Sequence, residues 1–232
     1  MKKIVFLTGA GVSAESGIKT FRSDDGLWEN HPVEKVADIC GWYENPLYVN
    51  QFYNMLRSQL QTKQPNLAHR LIAQLEEKFD VVVVTQNVDN LHERAGSSSV
   101  IHLHGELMKV CSSKDKEDVL QHRELTENDL IVKDGELSAD GSLLRPYIVW
   151  FGEPVPMLDK AIEEVSSADV VVVVGTSFKV YPAAGLIHYA RKDAQLFCID
   201  PNQTSAPTSL GITFIKKKAT EGMQELMKLM KF

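Results

Sequence analysis

The chain has 232 residues, 44% hydrophobic and 24% charged, the profile of a globular protein that can bury a full core. Its net charge of −6 gives no electrostatic reason to expect a nucleic-acid partner, and no apolar run approaches the roughly 20 residues of a membrane span. Three widely spaced cysteines (Cys40, Cys111, Cys198) make no disulfide framework, and the opening MKKIVFLTGAG has too short an apolar run for a signal peptide, so a cytoplasmic protein is expected.

In chain order, β-branched runs bounded by turn residues predict strands at 3–8 (KIVFLT), 80–85 (DVVVVT), 99–105 (SVIHLHG), 169–176 (DVVVVVGT) and 194–200 (AQLFCID). Helical patterns fall between them at 46–60, 66–79, 157–168 and 182–192, with a last amphipathic helix at the C-terminus. This alternation predicts an α/β fold, a Rossmann-like doubly wound parallel sheet. Residues 28–79 read as helical with no strand among them, and 106–145 are polar with little periodicity. The expected division is therefore 1–27, 80–105 and 146–232 as the sheet domain. Residues 28–79 and 106–145 would form a smaller lobe, with a ligand crevice between the two.

Gly9-Ala10-Gly11-Val12-Ser13-Ala14 fits G-x-G-x-x-A directly after the first strand, a turn that brings backbone close to a pyrophosphate. By itself it fits a plain strand–helix turn equally well. A dehydrogenase also needs an acidic residue at the end of the second strand for the adenine ribose; here that end reads Thr85-Gln86-Asn87-Val88-Asp89. TQNVDNLHERAG (85–96) places amides and a carboxylate where open α/β sheets bind ligands, although Asp89 alone would serve as a helix cap. IHLHGEL (101–107) puts His102 and His104 on one strand face, with His104 at the strand end where the lobes would meet. VWFGEPVP (149–156) offers an aromatic edge suited to an extended peptide, and GTSFKVYP (175–182) offers small side chains and backbone donors in Gly175, Thr176 and Ser177.

Together these residues resemble the sirtuins, NAD-dependent protein deacylases. The family order GAGxSxxSGIxxFR, TQNxDxLH, HLHG, FGE-x-x-P, GTS-x-x-V-x-P appears here as Gly9–Arg22, Thr85–His92, His102–Gly105, Phe151–Pro156 and Gly175–Pro182. FRSDDGLWENH and QFYNMLRSQL bring the chain nearest to the bacterial, desuccinylase-like branch. The resemblance implies NAD as cofactor and acylated protein lysines as substrate, with nicotinamide, free lysine and O-acyl-ADP-ribose as products. It implies that Gly9, Ala10, Gly11 and Ser13 line the pyrophosphate turn, that Phe21 shields the ribose, that Arg22 reaches the phosphates, and that Trp28 belongs to the same loop. Asn87 and Asp89 match the positions holding the nicotinamide ribose and carboxamide, joined by Ile18 and Gln86. His104 matches the general base, a task suited to an imidazole titrating near working pH. Gly175, Thr176, Ser177, Asp200 and Ala219 would complete the cofactor site, and the peptide would lie along Val149, Phe151, Gly152, Glu153 and Val180.

The chain departs from the family in three places. Sirtuins usually carry a structural zinc on two Cys-x-x-Cys pairs; only Cys111 lies in that region, so no metal is expected. The lobe would rely on a core of Leu107, Val110, Val119, Leu125, Leu130, Ile131 and Leu143. The branch reads acidic acyl groups with Tyr-x-x-Arg. Here Tyr53 is followed at that spacing by Leu56, and Arg57 comes one residue later, within reach of a carboxylate on a helix but one step around it. Asp200 stands where the family usually has Asn. A mono-ADP-ribosyltransferase or a non-catalytic NAD- or ADP-ribose-binding module would use the same residues; a hydride-transferring dehydrogenase lacks its ribose acid.

Overall fold

A computed structural model describes residues 1–19, 31–202 and 210–230. Six parallel strands form the main sheet: β1 (Lys3–Thr8), β2 (Asp80–Thr85), β3 (Val100–His102), β7 (Val170–Val174), β8 (Gln195–Ile199) and β9 (Thr213–Ile215), in the order β3-β2-β1-β7-β8-β9. β1 is flanked by β2 on one side and β7 on the other, with Phe6 in register with Val83 and Val172. The chain leaves β1 in one direction and returns on the other side of it, so the switch point of the sheet lies between β1 and β7.

Side chains alternate across the strands, which is why the valine runs are apolar throughout: both faces are covered. Val5, Leu7, Val82, Val84, Val171 and Val173 pack under α6 (Leu158–Ser167) and the 3-10 helix Ala183–Tyr189. Ile4, Phe6, Val81, Val83, Val170 and Val172 pack under α4 (Leu67–Gln74) and α7 (Ala219–Leu229). No helix among the described residues is long and apolar enough to cross a membrane.

The smaller lobe joins α1 (Val33–Val36), α2 (Ile39–Glu44) and α3 (Pro46–Gln61) to a three-stranded antiparallel sheet. That sheet comprises β4 (Gly105–Ser112), β5 (Arg123–Glu124) and β6 (Leu144–Ile148), in the order β5-β4-β6. Asn45 caps α3 by accepting from the Tyr48 N–H, with Pro46 at the first helical position. Two boundaries differ from the expected division. α4 packs on the main sheet through Ala68 and Ile72, and β6 pairs with β4 of the small sheet. Both follow from which apolar face a segment can bury, information that a composition boundary does not carry.

The small sheet was not expected, because its strands are short and polar on one side. Its core is Val110, Leu125, Val132 and Leu144. Of the residues proposed for it from sequence, Leu107 belongs instead to the aromatic cluster with Trp42, Tyr53 and Trp150, while Val119 and Ile131 are exposed. α3 ties this module to the lobe with a buried polar stripe. Asn50 donates to the Leu144 carbonyl (3.0 Å), and Asn54 makes a paired contact with the Val132 backbone, donating to its carbonyl (2.9 Å) and accepting from its N–H (3.0 Å). Cys111 is buried in β4, and burial pushes its thiol up to about 12. Among the described residues no group of three or more His, Cys, Asp and Glu is placed to hold a metal ion.

Candidate active site

The loop after β1 does not run into a long helix. It makes two short 3-10 turns, Ala10–Val12 and Ala14–Ser16, which end at Gly17 in the left-handed region (φ 78°). The glycines here permit contact between two loops at the switch point. The Gly11 N–H donates to the Gly175 carbonyl (2.9 Å), and Gly175 has φ 63°. A Cβ on Gly11 would stand 2.6 Å from the Gly175 Cα, and one on Gly175 2.5 Å from the Gly11 carbonyl carbon. Sequence reading gave these glycines to the pyrophosphate; their backbones are first of all packed on each other.

Two cavities open from this point. The larger, about 1010 Å³, runs between the lobes along Gly9, Ala10, Gly11, Gln86, His104, Val149, Phe151, Gly152, Glu153, Gly175, Thr176, Ser177, Val180, Asp200 and Ala219. The smaller, about 400 Å³, holds Ser13, Ile18 and Asp89. Ala10, Leu56, Asn87 and Val88 line both. Ile18, Asn87 and Asp89 thus meet as expected of one pocket, whereas Gln86 faces the larger cavity and donates to the Thr176 hydroxyl (3.2 Å). Phe21, Arg22 and Trp28 lie outside the described residues.

The β2 end positions its polar groups through a linked set of hydrogen bonds. Asn87 Nδ2 donates to the Gly9 carbonyl (3.2 Å) and to Ser13 Oγ (3.3 Å), and the Ser13 hydroxyl donates to Asp89 Oδ2 (3.0 Å). His69, absent from the sequence reading, stands behind them. Its Nδ1 accepts from the Asn66 N–H (3.3 Å), so Nε2 carries the proton and faces Ser13 Oγ at 3.4 Å. Burial lowers the His69 pKa to about 4 and holds His92 well below the ordinary imidazole value, with repulsion from the protonated forms of His69 and His102 adding to it. Burial raises the Asp89 carboxyl, opposed by its bonds from Leu91 and Ser13.

His102 and His104 sit on consecutive carbonyls yet are shifted in opposite directions from the ordinary imidazole value. His102 Nδ1 donates to the Asn87 carbonyl (2.9 Å) and Nε2 meets Glu93 Oε1 (2.7 Å). Both its nitrogens face acceptors. Burial works against its charged form, but the bond and charge of Glu93 outweigh it and raise the pKa. His104 Nδ1 donates to the Gln86 carbonyl (3.0 Å), which leaves Nε2 as an acceptor on the larger cavity. Burial lowers its pKa, so it is a neutral imidazole with one free lone pair, the form a general base requires.

The peptide-side segment is more committed than its sequence suggests. Phe151 donates its N–H to the Ala37 carbonyl (2.8 Å) and accepts from the Ile39 N–H (3.0 Å), so its backbone is not available to a docking strand; its ring is half exposed. The Glu153 carboxylate, expected to face substrate, turns inward to Arg145 (2.8 and 3.0 Å) and the Trp150 N–H (2.8 Å). Arg145 lies 3.6 Å over the Trp150 ring. Arg57 requires the clearest correction. It is fully buried, donating Nε to the Leu107 carbonyl (2.8 Å) and Nη1 to Asn54 Oδ1 (2.7 Å), and burial lowers its pKa to about 10. Tyr53 lines the larger cavity, but its hydroxyl donates to the Val36 carbonyl (3.0 Å) and accepts from Trp150 Nε1 (2.9 Å). The two do not form a carboxylate clamp: the step from i+3 to i+4 turned the guanidinium into the lobe core.

The chain is similar to known proteins over nearly its whole length. A family model described as the Sir2 family matches residues 9–182. The chain is 52% identical over 230 residues to an NAD-dependent protein deacylase of Bacteroides thetaiotaomicron, covering 99% of this chain and 98% of that one. It is 50% identical over 227 residues to an NAD-dependent protein deacylase of Helicobacter pylori, covering 98% and 96%. Among solved structures it is similar to a Sir2 homolog–NAD complex (TM-score 0.87, 40% identity, 99% and 90% covered) and to a Sir2–p53 peptide–NAD+ complex (TM-score 0.78, 33% identity, 98% and 93% covered). With a neutral His104 facing the interlobe cleft, an Asn87–Ser13–Asp89 network where the two cavities meet, and these matches over nearly its whole length, this chain belongs to the Sir2 family.

Proposed function

We propose that this chain, an NAD-dependent protein-lysine deacylase, acts on lysines bearing apolar acyl groups, acetyl and longer, in preference to acidic ones. The residues present fit the cofactor. The interlobe cavity lies at the upper end of the usual ~300–1,000 Å³ range for ligand sites, and Asn87, which lines both cavities, links it to Ser13 and Asp89 on the smaller one. Gly9, Gly11, Gly175, Thr176 and Ser177 would hold its phosphates and ribose, with Asp200 and Ala219 at the adenosine end. NAD, when bound, supplies the ribose carbon that takes the acyl oxygen and gives up nicotinamide.

The chain's own residues then have defined tasks. His104 accepts a proton at Nε2, and the Gln86 carbonyl on Nδ1 fixes the tautomer and steadies the imidazolium that results. Asn87 is held rigidly by Gly9 and Ser13 where the two cavities meet, so it is oriented before any ligand arrives. Peptide recognition falls to Val149, Gly152 and Val180, with Phe151 contributing its ring.

The observation that carries the acyl preference is Leu56. It lines both cavities, whereas Arg57 lines neither and is buried with Nε on Leu107 and Nη1 on Asn54. An acyl carboxylate passing Leu56 would lose its hydration without gaining a charge partner there. The test is an NAD-dependent assay on one peptide carrying acetyl-, butyryl- or succinyl-lysine, with products weighed by mass spectrometry. Succinyl-lysine should fall roughly tenfold or more behind acetyl-lysine in kcat/KM, since the pocket strands its charge. A preference for succinyl-lysine would overturn the acyl assignment. ADP-ribose added to protein in place of O-acyl-ADP-ribose would overturn the deacylase reading.

A further inference from the structure

The last residue of β2 and the three after it present four consecutive carbonyls, and the segment from β3 into β4 takes all of them. The Leu103 N–H donates to Thr85 (2.9 Å) and the Leu107 N–H to Val88 (2.8 Å). Between these, His104 Nδ1 donates to the Gln86 carbonyl (3.0 Å) and His102 Nδ1 to that of Asn87 (2.9 Å). Two imidazoles thus fill the two middle places. The Asn87 side chain is held from the other direction, its Nδ2 on the Gly9 carbonyl and Ser13 Oγ. His104 keeps Nε2 for the larger cavity. His102 lines neither cavity, and its Nε2 meets Glu93 Oε1 (2.7 Å) on α5 (Leu91–Ala95). Any part it has in the reaction passes through Asn87.

A neutral imidazole carries one N–H, and His102 has two acceptors to serve. Only the imidazolium donates to both. When the proton leaves, the bond to a carboxylate is the stronger of the two and keeps the remaining N–H, so the Asn87 carbonyl is the group that loses its donor. We propose that His102 is a positioning residue for deacylation: its doubly protonated ring, set by Glu93, holds the Asn87 backbone so that the Asn87 amide stays aimed at the junction of the two cavities. This rests on the deacylase reading above, in which Asn87 is oriented before NAD arrives. Burial opposes the charge on His102, but the bond and charge of Glu93, the Asn87 carbonyl and the charge of Glu106 on β4 together raise its pKa. Glu93 is lowered in turn, since its bond to His102 outweighs its own burial. Asp89, just before α5, and His92 within it also face the ring. The His102 charge favours the Asp89 carboxylate and opposes protonation of His92, which stays neutral beside it. Turnover therefore needs the two histidines of one strand end in opposite states, His104 neutral and His102 charged. The rate falls on the acid side through His104 and on the alkaline side through His102.

The experiment combines imidazole nitrogen NMR of the intact protein without ligand, calorimetric NAD binding, and deacylation across pH, in the wild type, Glu93→Gln and His102→Gln. The signals lost in His102→Gln identify the ring. In the wild type both of its nitrogens should be protonated below a titration midpoint that lies above 6.5. Glu93→Gln should lower that midpoint by about one unit, and the alkaline fall in kcat/KM and in NAD affinity should move with it. His102→Gln keeps an amide donor but no titrating proton. It should lose the alkaline fall altogether, with kcat/KM roughly tenfold lower at neutral pH from a looser Asn87. A merely structural residue would lower the melting temperature without moving the limb. A His102 midpoint at or below 6.5 in the wild type, or an alkaline limb unmoved in folded Glu93→Gln, would overturn the proposal. A shift in NAD affinity in a protein that turns over no acyl-lysine would overturn the deacylase reading and leave His102 its place behind Asn87. No NAD binding at any pH would overturn both.

Discussion

Arg57 donates its Nε to the carbonyl of Leu107 at 2.8 Å, across the interface between α3 and β4, and it is fully buried and lines neither cavity. The guanidinium is therefore a strut of the small lobe. Arg57→Met should leave the ratio of succinyl- to acetyl-lysine turnover unchanged. It should lower stability, because the Leu107 carbonyl loses its side-chain donor at about 1–3 kcal/mol, while Asn54 Oδ1 keeps the Val132 N–H. Chemical denaturation together with the two-substrate assay checks both halves; a selective loss on succinyl-lysine would return Arg57 to the pocket.

His104→Ala should reduce deacylation by ~10²–10⁴-fold while the melting temperature moves little, as removal of a general base does. Because burial lowers the His104 pKa, the acid limb of kcat/KM in the wild type should fall below the ordinary imidazole value of 6.5. A limb centred above 6.5 would assign it to another group. His102, whose pKa Glu93 raises, is the first to examine.

Stability should decline as pH falls from about 6.5 toward 4. His69 and His92 take up protons more readily unfolded than folded, so the stabilisation is complete above the unfolded value and is lost as pH drops toward the folded one. For His69, going from 6.5 to about 4, the loss is on the order of 3 kcal/mol. Asp89, whose carboxyl is raised, acts in the opposite sense at the acid end of that window. Thermal melts at pH 7 and 4.5 would measure the slope, and His69→Gln should make it shallower.

Glu153→Gln should cost several kcal/mol and raise KM for the peptide more than it lowers kcat. The carboxylate neutralises Arg145, which is nearly fully buried against Trp150, and breaking a buried pair from one side costs about 3–5 kcal/mol. The same carboxylate fixes the turn that presents Gly152. A stable variant with unchanged KM would show that the turn holds itself.

The sequence by itself determined five of the six strands of the main sheet, the order of the motifs and the strand ends on which they cluster. Valine runs such as Val170–Val174 read as two-sided buried strands, and the HLHG and TQNVDN segments carry the family resemblance that implies their chemistry. It determined as well that the small lobe could not rest on four thiolates. Why His104 rather than His102 is the base was not written there, because the two share a motif and differ in what meets Nε2. Nor was the fate of Arg57, since positions i+3 and i+4 are near neighbours on a helix until a facing strand decides which side is core. His69, Arg145 and the α3 stripe of Asn50, Asn54 and Arg57 look like surface polar residues in a string of letters. Their partners lie 50 to 94 residues away for the stripe, as with Arg57 and Leu107 or Asn50 and Leu144, and only chain folding brings a buried polar group to the backbone that satisfies it.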